Sequence, residues 1–370
     1  MAQEKGVNIS RHEVRTTDGY WLTLHRVGDS KGTPVLLVHG LLASSDQWLL
    51  LGPSESYALV LADAGYDVWM GNVRGNVYSR KHDRLSPDVN PEFWNFSLHE
   101  IAYYDLPAMV EHISRSTGHD RIFYSGYSVG GTLFLMMTAA RPEYNRKFLG
   151  AFLLAPLLVR PDSTELSPVF RMGFEFIFAF VRVLKDYQVG EFYPRQAEML
   201  RMKEEACKAS AQTFPLCVRM LYKPFGLRPS QYDVTKLEYL LKSFGSGTST
   251  KVIEHIMQII QTGWLQQFDY GPQKNLLMYG SHKPPEYDIS NTTCPVVLHY
   301  DKNDYLVDYK AVELAAKKLP CLFCDCMGNR EGFSHFGYVI SSYASQYVFR
   351  KVVRSMRLLE TEVGRDLACS

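Results

Sequence analysis

The chain is 370 residues long, with 46% hydrophobic and 13% aromatic residues and a formal net charge of +1. That length admits one large domain with an insertion, or two domains, and that hydrophobic share implies a sizeable core. The near-zero charge gives no electrostatic reason to expect a nucleic-acid partner, and no apolar run reaches the ~18 uncharged residues of a membrane span.

Met1 to Gly6 is polar and lacks the apolar core of a secretory signal, which taken alone implies a cytoplasmic protein. Asn-x-Ser/Thr sequons at Asn8, Asn95 and Asn291 point instead to a secretory route and N-glycosylation. Residues 10–27 alternate in polarity around Asp18-Gly19, which predicts a β-hairpin. Pro34 to Gly40 is a continuous apolar run ending in His39-Gly40, the pattern of a central strand buried on both faces. A helix is expected near Trp48. Tyr66 to Met70 reads as the next strand, leading into the polar loop Gly71 to Asn76. Leu106, Met109, Val110 and Ile113 recur at helical spacing, with Pro107 in the first turn.

The centre of the pattern is Gly126-Tyr127-Ser128-Val129-Gly130. An apolar strand, Arg121 to Ser125, precedes it, and a buried helix, Val129 to Ala140, follows. Strand, sharp turn and helix form the context of a nucleophile elbow, in which a serine hydroxyl is exposed beside backbone N–H groups. The pentapeptide alone occurs by chance in roughly one chain in eight of this length. The flanks carry the functional reading. Phe148 to Ala155 is a further strand, so strands and helices alternate, which implies a mostly parallel sheet with right-handed crossovers, an α/β fold.

The alternation stops near Pro156 and resumes with the strand Cys294 to Tyr300. A helix over about 310–318, a last strand at 321–327 and a C-terminal helix over about 340–359 follow. This divides the chain into 1–156 and 276–370, two parts of one core, and 157–275, an inserted helical cap. Within the cap, Pro168 to Tyr187 is densely aromatic, with Arg171, Glu175 and Arg182 on one side of a helix. It reads either as a helix sandwiched between cap and core, or as one whose Phe176 and Phe180 line an acyl pocket and meet lipid when the cap moves. Seven cysteines leave at least one without an intramolecular partner. Cys207 and Cys217 could form a disulfide, whereas Cys321, Cys324 and Cys326 read as buried thiols. Nothing at ligand spacing asks for a metal or a cofactor.

A serine nucleophile needs a histidine to take its proton and an acid to orient that histidine. Of eleven histidines, only His255, His282, His299 and His335 follow Ser128. Only His335 follows the strand ending at Tyr300, in a loop between the last strand and the last helix. The acid is expected just past Tyr300. Asp304 is preferred and Asp301 is the alternative, since spacing alone separates them poorly. The oxyanion donors are expected to be the backbone N–H groups of Val129 and Leu41. His39 reads as structural.

Three segments then carry a resemblance: His39 to Ser45, Gly71 to His82 and Tyr104 to Ala108. They resemble the acid lipase family, which includes gastric and lysosomal acid lipases and insect lipases, from about Glu13 to the C-terminal helix. The resemblance implies an α/β-hydrolase core with a helical cap over an acyl pocket, acting on lipid esters such as acylglycerols or sterol esters at a lipid–water interface. It places the nucleophile on Ser128, the base on His335 and the oxyanion donors on Leu41 and Val129. It favours Asp304 through Asn303 to Asp308. It also implies a secreted or lysosomal protein. The family usually carries His and Gln around the serine, where this chain has Tyr127 and Val129. Beside the base it usually reads Asn-His-Leu-Asp, where this chain has Ser334-His335-Phe336-Gly337. A catalytically weak lipid-binding or storage protein and a short-chain esterase or thioesterase are the alternative functions.

Overall fold

Asp18-Gly19 reverses the chain between β1 (Ser10–Arg15) and β2 (Tyr20–Gly28), which pair antiparallel with Arg15 opposite Trp21. Gly19 sits at φ +99°, where a side chain would be strained. β3 (Pro34–Val38) follows, then α1 (Tyr57–Asp63), β4 (Asp67–Gly71) and the two-residue β5 (Lys81–His82). α2 (Leu106–Thr117) leads to β6 (Ile122–Tyr127), α3 (Val129–Ala140) and β7 (Phe148–Leu154). The computed structural model describes residues 8–52, 55–160, 168–193, 201–202, 205–208, 210–222, 231–232 and 245–361; for 168–175 and 220–222 it describes the backbone alone.

The strands run β1-β2-β4-β3-β6-β7, then β10 (Val296–Asp301) and β11 (Leu322–Gly328), with β5 beside β2. β2 pairs antiparallel with β1, β4 and β5, and every pairing from β4 to β11 is parallel. β3, β4, β6 and β10 are buried along their whole lengths. Helices on both faces demand that, which is why these strands read as unbroken apolar runs rather than alternations.

Several expectations needed correction. The helix near Trp48 is a short 3-10 turn, Ser45–Leu49, capped by the Ser44 hydroxyl. The C-terminal helix is broken. Gly337–Ile340 is one turn, and Ser341 is extended (φ −75°, ψ 133°) and bridges Tyr232. A wide π turn, Ser345–Phe349, then feeds α9 (Arg350–Leu359). The apolar period continues through the break because both pieces face the core, so periodicity alone cannot reveal it. Cys321, Cys324 and Cys326 are not free thiols: each is disulfide-bonded, Cys324 and Cys326 to each other on edge strand β11, where alternate residues share a face. Cys294 is the free, buried cysteine among those described.

Between β7 and β10 the described chain holds α4 (Pro168–Asp186), α5 (Phe214–Tyr222), α6 (Thr250–Thr262) and α7 (Pro272–Tyr279). It also holds a ribbon that the sequence did not announce, β8 (Glu191–Phe192) against β9 (Thr248–Ser249), because two residues are too few to show alternation. Cys207 and Cys217 are joined by a disulfide. The Lys185 ammonium lies 2.7 Å from the Glu254 carboxylate, bridging α4 and α6. The side chains of Arg171 and Glu175 lie outside the described residues.

Candidate active site

β6 ends at Tyr127 and α3 begins at Val129, so Ser128 alone makes the turn, at φ 54° and ψ −120°. A non-glycine residue held there costs about 1–3 kcal/mol. The surrounding backbone imposes it. The Ser128 N–H donates to the Leu154 carbonyl at 2.8 Å, and the Ser128 carbonyl accepts from Gly131 at 2.9 Å and Leu157 at 3.3 Å. A side chain at Gly126 would collide with the Gly130 backbone, and one at Gly130 with the Val38 carbonyl. The two glycines are thus what let strand, turn and helix pass so closely.

His335 lies in the loop after β11. Its Nε2 is 3.0 Å from Ser128 Oγ, and its Nδ1 is 2.8 Å from Asp304 Oδ2. Ser128, Asp304 and His335 are 8%, 3% and 4% exposed, so little water competes for these contacts. The acid is held by its own loop: Asp304 Oδ1 accepts the Leu306 N–H at 2.8 Å and the Val307 N–H at 3.2 Å. That leaves Oδ2 to face the imidazole, which makes Nδ1 the protonated nitrogen and Nε2 the acceptor toward the serine hydroxyl.

The neighbouring aspartates are engaged elsewhere. Asp301 accepts from the backbone N–H groups of Asn303 at 3.0 Å and Arg330 at 3.2 Å, and Arg330 also approaches through its guanidinium. Burial pushes its carboxyl above the ordinary value. Asp308 caps α8 (Tyr309–Ala316) and accepts from Arg160 Nε at 2.8 Å. Of the two aspartates left open by spacing, the geometry turns only Asp304 to His335.

On the other side of Ser128 lies the loop after β3. A side chain at Gly40 would come within 3.3 Å of Ser128 Cβ, so the Gly40–Leu41 peptide abuts the nucleophile. His39 fixes that peptide. Its Nδ1 is 2.8 Å from the Gly40 carbonyl, and its Nε2 meets Asn76 Nδ2 at 3.1 Å and the Val73 N–H at 3.4 Å. Two donors at Nε2 require the tautomer with its proton on Nδ1, which donates to Gly40. Burial depresses the His39 pKa to about 4, which keeps that tautomer neutral. Asn76 is itself tied to Asn72, whose amide also holds Ser45 and the Thr23 carbonyl. Neither Leu41 nor Val129 donates its N–H to another group among the described residues.

The motif segments that the chemistry did not use meet one another. Arg74 is buried and donates to Asp105 at 2.7 Å and to Asp18 at 2.6 Å, with its guanidinium 4.0 Å from the Tyr20 ring centroid. Asp105 closes a π turn, Ile101–Asp105, that precedes α2. Residues 71–82 and 104–108 therefore form one buried scaffold beneath the loop after β3.

The inserted helices reach the site through the same loop. Leu41 and Leu42 pack against a cluster of Val181, Phe192, Ile253 and Met257. The Leu42 carbonyl accepts from Gly245 and Ser246, each at 2.9 Å. On α4 the inward face is Ile177, Val181 and Leu184. Phe176 and Phe180, expected as pocket-lining, are 75% and 47% exposed, and with Val183 and Tyr187 they form an outward stripe. Sequence pattern marked the helix as apolar nearly all round, but it could not say which side the core would claim.

Sequence reasoning missed the chain of contacts from Asn72 through Asn76 to His39. The spacing of two asparagines four residues apart in a buried loop was the available signal. It also missed Gln231, whose side-chain amide donates to the Glu331 carbonyl at 2.8 Å while its backbone carbonyl accepts from the Ser342 N–H at 3.2 Å and from the Ser341 and Ser342 hydroxyls. That clasp joins two segments flanking His335 and has no local signature.

Comparison with known proteins adds an independent line. Residues 33–325 match the alpha/beta hydrolase fold family, and residues 1–52 match a partial alpha/beta-hydrolase lipase region. Lipase 3 of Drosophila melanogaster is 35% identical over 365 residues, spanning 97% of this chain and 92% of that protein. Gastric triacylglycerol lipase of Rattus norvegicus is 33% identical over 362 residues, spanning 95% and 89%. Among solved structures, a carboxylesterase of Nitrososphaera gargenis superposes with a TM-score of 0.55 at 12% identity, over 93% of this chain and 97% of that one. A thermophilic esterase of Thermogutta terrifontis superposes with a TM-score of 0.53 at 15% identity, over 95% and 100%.

Proposed function

This chain belongs to the lipases of the α/β-hydrolase fold, and we propose that it cleaves lipid esters through an acyl-enzyme formed on Ser128. The observation that carries the reading is the continuous contact from Ser128 Oγ through both nitrogens of His335 to Asp304. Ser128 Oγ attacks the ester carbonyl while His335 Nε2 takes its proton. Asp304 holds Nδ1–H and stabilises the imidazolium. The Leu41 and Val129 N–H groups receive the oxyanion, each worth about 3–4 kcal/mol of barrier. His335 then protonates the departing alcohol, and a water, deprotonated by the same nitrogen, releases the fatty acid and restores the serine.

Residues 157–275 act in this reading as a cap. Its inner cluster seats the loop that bears Leu41, and its outward stripe on α4 offers apolar surface to a lipid–water interface. The apolar cluster of Val181, Phe192, Ile253 and Met257 beside Leu41 and Leu42 supports acylglycerols or sterol esters as substrates. The sequon asparagines Asn8, Asn95 and Asn291 are all exposed, which supports N-glycosylation along a secretory or lysosomal route. No helix among the described residues is long and apolar enough to cross a membrane.

A fluorophosphonate probe tests the chemistry. Mapping of the labelled peptide is expected to find the adduct on Ser128, together with hydrolysis that favours long acyl chains. Labelling elsewhere, or no labelling with lipid still bound, would leave a lipid carrier. Hydrolysis confined to butyrate-length esters would make it a short-chain esterase.

A further inference from the structure

The residue before the nucleophile is Tyr127, and its side chain takes part in none of the steps above. It is buried, at 3% exposure. Its hydroxyl donates to the backbone carbonyl of His335 at 3.1 Å. The other donor to that carbonyl, the Tyr338 N–H, reaches it only at 3.4 Å. The Tyr127 ring lies 4.9 Å from the imidazole, centroid to centroid, at an interplanar angle of 35°. A side chain added at Gly40 would come within 3.0 Å of Tyr127 Cδ1, so the ring is also packed on the peptide that leads to Leu41. One side chain therefore touches all three arms of the site. It is bonded through the chain to the nucleophile, hydrogen-bonded to the residue that carries the base, and packed on the loop that carries the oxyanion donor.

We propose that Tyr127 is a positioning residue that fixes His335 relative to Ser128 and Gly40. The inference rests on Ser128 and His335 acting as nucleophile and base. The loop bearing His335 comes from the far end of the chain, 207 residues from Ser128. A hydrogen bond on the His335 carbonyl fixes its Cα, and with it the distance from Nε2 to Ser128 Oγ. Displacements of about 1 Å in such a contact cost on the order of 100-fold in rate. The phenol is suited to this role because burial, reinforced by the Asp304 carboxylate, pushes its ionisation well above that of an ordinary tyrosine. It stays a donor at any pH where the enzyme works.

The test is Tyr127→Phe, which removes one oxygen and keeps the ring. Its control is Tyr57→Phe, another buried tyrosine, whose hydroxyl lies 3.0 Å from Ser125 Oγ and does not touch the triad. Turnover is counted per site titrated with a fluorophosphonate, so any misfolded fraction drops out. Tyr127→Phe should lower kcat about 10- to 100-fold with KM within about twofold of the parent. Tyr57→Phe should leave kcat unchanged. Full kcat in Tyr127→Phe overturns the proposal, as does an equal loss in Tyr57→Phe, which would make the effect a general consequence of a lost buried hydroxyl. Ser128→Ala is assayed alongside. If it retained turnover, the nucleophile reading would fail instead, and the two failures are distinguishable.

Discussion

The groups at the triad and the groups on α4 are held in different ways. Ser128 follows the end of β6, and Asp304 and His335 lie in the loops after β10 and β11, each fixed by backbone hydrogen bonds or by a buried partner, and each almost fully excluded from water. α4 is anchored on one side, by Val181 and its neighbours, and leaves Phe176, Phe180, Val183 and Tyr187 facing solvent. The lesson is a division of labour. Groups whose geometry must be set within a fraction of an ångström are placed where the sheet determines the backbone. The groups proposed to meet a variable, fluid substrate lie on a helix with an exposed apolar face. The loop after β3 belongs to both regions, since it abuts Ser128 on one side and the inserted cluster on the other.

Ser128→Ala breaks the comparison most sharply. It should lower turnover about a million-fold, because the attacking atom is gone. Thermal stability should hold or rise slightly, since the turn's glycines remain. Ester hydrolysis surviving in the purified variant would remove the triad side of the comparison altogether.

Asp304→Asn should cost about four orders of magnitude in kcat, because an amide can present a donor to Nδ1 and favour the wrong tautomer. Asp301→Asn should act mainly on stability, through its contacts with Arg330 and Asn303. Steady-state kinetics on both variants decide the matter. A larger kcat loss in Asp301→Asn would reassign the acid.

Replacing Phe176 and Phe180 together by Ser should lower hydrolysis of emulsified long-chain esters about tenfold and leave a soluble butyrate ester nearly unaffected. Both side chains are largely exposed, so the melting temperature should shift little. Equal losses on both substrates with a lowered melting temperature would show that the stripe is core after all, and the contrast between the regions would weaken.

A further expectation concerns pH and reads stability rather than rate. Burial depresses His39 and His255 to a pKa of about 4 and His299 to about 3. In the unfolded chain each takes its proton near 6.5. As pH falls below about 6.5 the unfolded state binds protons that the folded state refuses, so stability declines until the folded pKa is reached. Each such histidine contributes up to about 1.4 kcal/mol per pH unit in that window. Melting curves between pH 7.5 and 4.5 should fall, and His299→Gln should make that fall shallower. A parent protein whose melting temperature stayed level through the window would contradict this.

The sequence by itself placed the candidate residues along the chain: Ser128 in a sharp turn after β6, Asp304 after β10 and His335 after β11. It did so because each is a local pattern, a strand ending in a loop that carries the candidate residue: β6 and β10 are buried apolar runs, and β11 is a half-buried edge strand. It also marked 157–275 as a break in the alternation. What only the tertiary structure decided were relations between distant segments. Asp301, the last residue of β10, and Asp304, in the loop after it, are three residues apart, and only the position of His335, more than thirty residues on, separates them. The outward face of α4 depends on α6 and on the loop after β3. The break at Ser341 depends on Tyr232, and the tether from Tyr127 depends on a carbonyl 208 residues away. Local sequence fixes backbone preference and burial period within a few residues. Which of two equally placed side chains meets a partner is settled by contacts that no local pattern encodes.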